Sequence, residues 1–274
     1  MVIHNRSQSV VEELAAQGMT AVQIPREMAE MVGAGVILFS LSNTESIRQV
    51  VEGPDGLFAG LKPGSLVIDM SSTQVEPTRA WQKRALELGS DWLDAPVSGG
   101  QAGAVNATLT IMCGGTKASF ERALPLFEFL GKTIRHMGGS GAGQVAKLAN
   151  QVIVASQIAA VSEAFTLAKA HGIDLAMLRE ALLGGFAASK ILDMHGQRMI
   201  DGNFKPGGTA TNQLKDVREA RNVAAKAGLN LPMMETNFAL WERMIEEGMG
   251  ALDHSGLFQY YQTKLNPPQT GSPI

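Results

Sequence analysis

Short apolar runs alternate with helical segments through the first half of the sequence. Val36–Phe39 is continuously apolar, and residues 65–69 are apolar between Ser65 and Asp69, which is typical of parallel strands buried on both faces. This alternation predicts an α/β fold with a doubly wound, mostly parallel sheet. The other strands are predicted at 1–4, 92–94, 109–113 and 132–137, and the helices at 10–16, 43–51, 77–89 and 117–129.

The alternation ends at a glycine-rich stretch, residues 138–143, after which no strand pattern is found. Residues 144–170 are apolar at helical spacing without a breaker, which predicts one helix of about 40 Å. Further helices are predicted at 175–183, 189–195, 212–227 and 232–247. We therefore expect an α/β domain over 1–138 and an all-α domain over 139–274, joined by the long helix, with the second domain completing an active-site cleft.

Composition excludes several classes of protein. The chain is 45% hydrophobic and 18% charged with a net charge of -3, which indicates a globular protein and gives no basis for a nucleic-acid or anionic-membrane partner. No run of 18 apolar residues predicts a membrane span. The single cysteine, Cys113, excludes an internal disulfide, favours a reducing, cytoplasmic location and fits a small buried strand residue. The histidines show no metal-ligand spacing, so no metal site is predicted.

Polar turns follow the predicted strands at the edge where doubly wound sheets bind ligands. The first is Asn5-Arg6-Ser7. In a dinucleotide-binding fold, an arginine at the end of the second strand accommodates the 2′-phosphate of NADP. The alternative is a plain strand-to-helix turn with a solvated arginine and a helix cap.

Two further groups of residues suggest chemistry. Lys147 begins a helix face that continues with Asn150 and Gln151 at i+3 and i+4, and a lysine there can donate a proton to a carbonyl oxygen. An ordinary solvated lysine is the alternative, although its neighbours are apolar. In the stretch 94–100, the backbone N–H groups of Gly99 and Gly100 and the Ser98 hydroxyl suit a small carboxylate, unless the turn serves shape alone.

Taken in order, residues 36–73, 94–100, 138–151 and 253–265 resemble the β-hydroxyacid dehydrogenase family, which is 3-hydroxyisobutyrate dehydrogenase-like, over nearly the whole chain. The resemblance implies a Rossmann-type first domain. It also implies that Lys147 is the catalytic lysine and that the segment 253–255 closes the cleft. The implied substrate-binding residues are Ser98, Gly99, Gly100, Asn150 and Gln151, and the implied cofactor-binding residues are Asn5, Arg6, Ser7, Leu41, Ser42, Ser72, Thr73 and Lys215.

The implied activity is that of an NADP(H)-dependent oxidoreductase acting on a small hydroxy or oxo acid, with NAD as the alternative cofactor. Within the family, the segment from Lys147 onward resembles members that reduce tartronate semialdehyde to glycerate. The alternative substrate is 3-hydroxyisobutyrate or another short β-hydroxyacid. A different class of function is an inactive scaffold that binds no cofactor. The long apolar helices favour a homo-oligomer, although burial within one chain explains them nearly as well.

One departure from the family pattern concerns the cofactor phosphates. Family members open with a strand, a Gly-x-Gly-x-x-Gly turn and a helix, on which the pyrophosphate sits. This sequence contains no such turn, and Gly33-Ala-Gly35 precedes a strand instead of opening a helix. Because the chain starts on what resembles the family's second strand, we expect a strand–turn–helix piece of about 25–30 residues to be missing.

Overall fold

In the computed structural model, which describes residues 1–267, strands and helices alternate up to residue 138 and helices follow. This confirms the predicted Rossmann-like domain followed by a helical domain. One compact unit is Met1–Lys147, and the other begins at Leu148. The strands are β1 (Val2–Ile3), β2 (Thr20–Ala21), β3 (Val36–Phe39), β4 (Leu66–Asp69), β5 (Asp91–Asp94), β6 (Val97–Ser98), β7 (Leu109–Gly114) and β8 (Gly131–Gly138).

The helices of the first unit mostly connect these strands, and those of the second unit follow one another. The first group is α1 (Gln8–Ala16), α2 (Pro25–Val32), α3 (Thr44–Val51), α4 (Leu57–Gly60), α5 (Val75–Glu87), α6 (Gly100–Val105) and α7 (Lys117–Glu128). Next come α8 (Ala142–Ala170), α9 (Leu175–Leu183), α10 (Lys190–Ile200), α11 (Ala210–Lys226), α12 (Pro232–Met244) and α13 (Leu257–Tyr260), with π turns at Ile245–Met249 and Tyr261–Leu265 and a 3-10 turn at His254–Gly256.

The strands form two sheets. The larger has the order β3-β4-β5-β7-β6, with β8 paired to β7, and the smaller pairs β1 with β2. Strands β3, β4 and β5 are parallel to one another, whereas β7 is antiparallel to β5 and β6. The carboxyl ends of β3, β4 and β5 therefore lie at one edge, where a doubly wound sheet binds its ligand.

Strand β4 lies in the middle of the core and is buried on both faces. Leu66 and Ile68 pack into a cluster that includes Ile111 of β7. Val67 packs on the opposite side, into a cluster that includes Trp92. This two-sided burial is the physical reason why the sequence of β4 is continuously apolar instead of alternating.

Three aromatic rings pack around Trp92 in the first unit. Its ring centroid lies 5.8 Å from that of Phe39 and 6.0 Å from those of Phe58 and Trp81. On the other face, Cys113 is fully buried in β7, and this burial raises the pKa of its thiol far above the usual range. The expectation that Cys113 is a small buried strand residue is confirmed.

Strand β3 differs from the expectation of burial on both faces. Ile37 is buried, but Val36 and Leu38 are each 40% exposed. The reason is topological: within residues 1–267, β3 pairs only with β4, and β1 belongs to the other sheet. The sequence pattern also did not predict six short elements, namely β2, α2, α4, β6, α6 and α13.

Several helix bounds differ from those expected. The helix expected at 189–195 runs to Ile200, and that expected at 232–247 ends at Met244, where a π turn replaces its last turn. By length and composition alone, α8 is apolar enough to cross a membrane: an 18-residue window of it has a mean hydropathy of 1.4. Of that window, 33% is buried inside the protein. A core helix passes the same test, so this finding is weak evidence.

The start of α8 packs closely against the larger sheet. A Cβ on Gly143 would lie 2.4 Å from the Met112 carbonyl oxygen and 2.5 Å from the Asp94 carbonyl oxygen. Because both neighbours are backbone atoms, they cannot move aside without distorting β5 or β7. Glycine at position 143 is therefore a requirement of packing, independent of its conformational freedom.

We expect Gly143→Ala to destabilise the first unit by about 1–3 kcal/mol, since the added methyl group meets backbone. Gly139→Ala is the matched control: Gly139 is exposed, and a Cβ there would have no neighbour within 4 Å. Thermal melting of both variants measures the difference. Equal melting temperatures would contradict the packing argument.

Candidate active site

The loops that follow β3 and β4 are joined by a hydrogen bond. The Leu41 backbone N–H donates to Ser71 Oγ at 2.8 Å. Asn43, after β3, caps α3 by accepting from the Ser46 N–H at 2.9 Å. Ser42, between them, is exposed. Of the residues predicted to bind cofactor, the structure thus places Leu41 and Ser42 beside the loop after β4.

The loop after β4, Ser71 to Thr73, is held at both ends. The Ser71 N–H donates to Asp69 Oδ1 at 2.8 Å, and the Thr73 N–H donates to Gln144 Oε1 at 3.0 Å. Gln144 Nε2 in turn donates to the Ser71 carbonyl oxygen at 2.8 Å. Ser72 is half-buried within this loop. The loop geometry is therefore fixed by a strand end on one side and by α8 on the other.

Asp94, at the carboxyl end of β5, accepts from the first turn of α8. The N–H groups of Gly141 and Gln144 donate to its two carboxylate oxygens, each at 2.9 Å. A carboxylate at this position also interacts favourably with the positive end of the helix dipole. Burial raises the pKa of Asp94 to about 6, although these hydrogen bonds oppose the rise.

A second buried carboxyl group lies on the neighbouring strand. Asp69 is the register partner of Asp94 across the parallel pair β4–β5. Burial is the main reason that the pKa of Asp69 is raised to about 7; the Ser71 hydrogen bonds lower it, and the charge of Asp94 raises it further. Within residues 1–267, Asp69 Oδ2 has no hydrogen-bond partner. The carboxyl edge of the sheet thus holds two acids that titrate near neutral pH.

The predicted carboxylate-binding residues lie at the end of β6 and the start of α6. Ser98 is the last residue of β6, and Gly100 is the first of α6. Gly99 and Gly100 have φ values of 130° and 60°, which favour glycine, and both are exposed. The sequence pattern suggested that this segment directly follows a parallel strand. In the structure it follows β6, which is antiparallel to β7.

Lys147 lies in α8, three residues after Gln144, and is only 9% exposed. A solvated surface lysine is therefore not what the structure shows. Gln144 is 1% exposed and was not singled out by its sequence context. A glutamine in an apolar helix gives no signal of its partners 71 and 73 positions away.

In the second unit, Asn150 and Gln151 belong to a polar chain. Asn150 Nδ2 donates to Gln151 Oε1 at 2.8 Å, and Gln151 Nε2 donates to Asp216 Oδ2 at 2.6 Å. The Lys215 ammonium lies 3.2 Å from Asp216 Oδ1. The structure thus links three predicted site residues, Asn150, Gln151 and Lys215, through Asp216, a buried residue that sequence reasoning missed.

The predicted turn after β1 is exposed. Asn5 Oδ1 accepts from the Ser7 N–H at 3.0 Å, and Ser7 is the N-cap residue of α1 without a side-chain cap bond. Arg6 is exposed between them. These three residues follow a strand of the smaller sheet, so within residues 1–267 no strand pairing joins them to the loops after β3 and β4.

A histidine pair in the second unit lies beside Asp253. The potential ligand atoms of His195, Asp253 and His254 lie within 4.8 Å of one another. However, both Asp253 oxygens accept hydrogen bonds, from the N–H groups of Gly207 and Gly208 and from Ser255. Burial would raise the pKa of Asp253, but the bonds from Ser255 and Gly207 outweigh it and lower the pKa. We interpret these three residues as a structural cluster in which Asp253 joins the backbone at Gly207 and Gly208 to Ser255.

Two family models match the chain. One describes the NAD binding domain of 6-phosphogluconate dehydrogenase and matches residues 1–139. The other is described as NAD-binding of NADP-dependent 3-hydroxyisobutyrate dehydrogenase and matches residues 141–261. Together the two models cover both the sheet and the helices that follow it.

Individual proteins match over the same extent. The 2-hydroxy-3-oxopropionate reductase of Escherichia coli (strain K12) is 42% identical, over 94% of this chain and 87% of that protein. The NAD-dependent L-serine dehydrogenase of Pseudomonas aeruginosa is 32% identical, over 96% of this chain and 88% of that protein. Among solved structures, the Mycobacterium tuberculosis 3-hydroxyisobutyrate dehydrogenase with L-serine has a TM-score of 0.84 at 27% identity, over 94% of this chain and 89% of that one.

The two raised carboxyl pKa values predict that the protein loses stability as pH rises. The folded pKa values, about 7 for Asp69 and about 6 for Asp94, lie above the reference value of 3.8, so the folded state binds more protons. The stabilisation is full below pH 4 and is lost as pH rises through 6 and 7. Asp69→Asn cannot ionise. We therefore expect it to reduce the loss of stability between low and high pH by on the order of 3 kcal/mol.

Melting temperatures between pH 5 and pH 8 measure the effect. The control is Asp55→Asn, since the Asp55 side chain is 65% exposed and should leave the wild-type slope unchanged. An Asp69→Asn variant whose stability falls with pH as steeply as that of the wild type would refute this assignment.

Proposed function

The chain belongs to the 3-hydroxyisobutyrate dehydrogenase-like family of NAD(P)-dependent β-hydroxyacid dehydrogenases, and we propose that it reduces tartronate semialdehyde (2-hydroxy-3-oxopropanoate) to glycerate with NADPH. The E. coli relative named for the corresponding activity supports this choice of substrate, at 42% identity. The observation that carries the catalytic assignment is the burial of Lys147 in α8, three residues after the glutamine that holds the loop from Ser71 to Thr73.

In the proposed reaction, Lys147 protonates the substrate. As the aldehyde carbon is reduced, its oxygen gains negative charge and takes a proton from the Lys147 ammonium, which then regains a proton from water. NADPH, when bound, supplies the hydride that reduces this carbon. A buried ammonium suits the step because its attraction for the negatively charged oxygen is stronger where water is largely excluded.

We assign the substrate carboxylate to Ser98, Gly99 and Gly100. The hydroxyl and the backbone of two exposed glycines with positive φ offer donors that a small anion can approach closely. We assign the remaining substrate oxygens to Asn150 and Gln151, of which Gln151 is oriented by its bond to Asp216. Both assignments follow the family pattern.

The cofactor assignments fit one part of the molecule better than another. Ser72 and Thr73, with Leu41 and Ser42 beside them, form a polar loop edge suited to the nicotinamide ribose. We assign Lys215 to the cofactor from the family pattern. Arg6, with Asn5 and Ser7, suits the 2′-phosphate and favours NADPH over NADH. For the pyrophosphate, no segment within residues 1–267 has the Gly-x-Gly-x-x-Gly turn.

Two other functions remain as candidates. The match to the 3-hydroxyisobutyrate dehydrogenase model over residues 141–261 favours 3-hydroxyisobutyrate or another short β-hydroxyacid as substrate. The separation of β1 and β2 from the larger sheet, with Val36 and Leu38 of β3 half-exposed, favours a scaffold without cofactor binding. The experiment below distinguishes all three.

We also propose that the protein is a homo-oligomer. Helix α9 has no buried residue within the single chain. Large apolar side chains of α8 and α9 are exposed, among them Ile153 (59%), Leu167 (65%) and Met177 (71%). A second copy of the chain presents the same apolar surface and is the occupant that this pattern favours.

We expect NADPH titration of the purified protein to show saturable binding, and turnover to be faster, as kcat/KM, with tartronate semialdehyde than with methylmalonate semialdehyde. NADH should support a lower kcat/KM than NADPH. Fluorescence titration and steady-state kinetics measure these quantities. Equal or faster turnover of methylmalonate semialdehyde contradicts the substrate, and absence of NADPH binding at millimolar concentration contradicts the enzymatic function.

Lys147→Met should lower kcat by about 10²–10⁴-fold, because the proton donor is lost, while the Kd for NADPH changes little. Lys169→Met is the matched control, since Lys169 is an exposed lysine near the end of the same helix. Kinetics and NADPH titration of both variants test the role. A Lys147→Met variant with wild-type kcat would exclude Lys147 as the proton donor.

A further inference from the structure

Gln144 uses its backbone and both ends of its side chain to connect separate parts of the first unit. Its backbone N–H donates to Asp94 Oδ2 at 2.9 Å. Its side chain accepts from the Thr73 N–H at 3.0 Å and donates to the Ser71 carbonyl oxygen at 2.8 Å. The residue is 1% exposed. One side chain therefore joins the first turn of α8 to both ends of the loop after β4.

These two side-chain bonds fix the orientation of the amide. The oxygen must face the Thr73 N–H and the nitrogen must face the Ser71 carbonyl, because reversal would oppose donor to donor and acceptor to acceptor. The connection extends to the loop after β3, since Ser71 Oγ accepts from the Leu41 N–H at 2.8 Å. Gln144 thus holds the loop from Ser71 to Thr73 in one position relative to α8.

We propose that Gln144 is a positioning residue: it sets the loop from Ser71 to Thr73 relative to the α8 turn that carries Lys147. This inference rests on the proposed function, in which the loop faces the nicotinamide ribose and Lys147 donates the proton. Gln144 does not touch the reacting atoms. Its effect is to fix the spacing between the segment that receives the cofactor and the segment that protonates the substrate.

Gln144→Glu tests the proposal because its effect depends on protonation. A neutral carboxylic acid at this position can still accept from the Thr73 N–H and donate to the Ser71 carbonyl. An ionised carboxylate cannot donate, and it places negative charge against that carbonyl.

The acidic groups around Gln144 are Asp94, which accepts from its backbone N–H, and Asp69, the register partner of Asp94. The cations are Arg79, which donates to the Ser140 carbonyl oxygen, and Lys147, three residues on in α8. Burial at position 144 raises the pKa of an acid there.

The first measurement is hydrogen–deuterium exchange of the peptide containing residues 71–73, without cofactor or substrate. At each pH the variant is compared with the wild type, because Asp69 and Asp94 titrate in both proteins. We expect Gln144→Glu to exchange like the wild type at pH 5.5 and roughly tenfold faster at pH 8.5. Gln144→Met, which lacks both bonds, should exchange faster at both pH values.

The matched control is Gln82→Glu. Gln82 is also buried in the first unit, but its Nε2 donates to the Trp92 carbonyl oxygen, away from the loop. We expect this variant to lose thermal stability at pH 8.5 without faster exchange at 71–73. If both Glu variants accelerate exchange at 71–73 equally, the effect is global destabilisation and the proposal is wrong.

The second measurement is the Kd for NADPH, with kcat, at the same two pH values. A pH-dependent rise in Kd for Gln144→Glu, parallel to the exchange, supports the positioning role. Exchange at 71–73 that matches the wild type at pH 8.5 overturns it. Failure of the proposed function is recognised separately, because the wild type would then bind no NADPH, whereas the exchange measurement needs no ligand.

Discussion

The hydrogen bonds from the first turn of α8 to Asp94 are the interaction on which the candidate site depends. A buried carboxylate is costly unless donors surround it, and the unpaired N–H groups at a helix start are such donors. The Asp94 carboxylate and the N–H groups at the start of α8 therefore satisfy each other's need for hydrogen bonds, with N···O distances of 2.9 Å. Together with the Gln144 side chain, this pairing places the α8 turn that carries Lys147 with respect to the sheet.

The close approach requires small residues on both sides. A Cβ on Gly114 would lie 2.6 Å from Asp94 Oδ1, and one on Gly143 would lie 2.4 Å from the Met112 carbonyl oxygen. The same closeness removes water and raises the pKa of both acids at this edge. Burial raises the pKa of both acids; the N–H groups of Gly141 and Gln144 oppose the rise at Asp94, and Ser71 opposes it at Asp69, whose Oδ2 has no partner within residues 1–267.

Most of the fold could be predicted from the sequence, but fewer of the contacts in the candidate site could. Strands such as β3, β4 and β7 were predictable because an apolar run between turns has few alternatives. The start of α3 was predictable because Asn43 or Thr44 can cap a helix, and the structure shows that Asn43 does. The short strands β2 and β6 were missed, since two residues carry no periodicity. The half-exposure of β3 was missed because burial depends on which strands become neighbours.

Within the site, turns after strands were recognisable, but the bonds that hold them were not. Gln144 and Asp216 act on residues far away in sequence, and neither has a local pattern that distinguishes it from an ordinary helical residue. The roles of Lys147, Ser98 and the cofactor-binding residues stay predictions from the family pattern. Long-range polar contacts of this kind become visible only when the fold brings their partners together.

The burial of Cys113 determines how the protein meets oxidants. Its thiol is the only one in the chain, is fully buried, and keeps its proton because burial raises its pKa. Thiolate is the form that peroxide and alkylating reagents attack, so this sulfur is protected. The accessible sulfur lies instead in thioethers, such as those of Met233 in α12 (64% exposed) and Met137 in β8 (47%). Oxidative damage will therefore begin as methionine sulfoxide at exposed methionines, while the Cys113 thiol stays reduced.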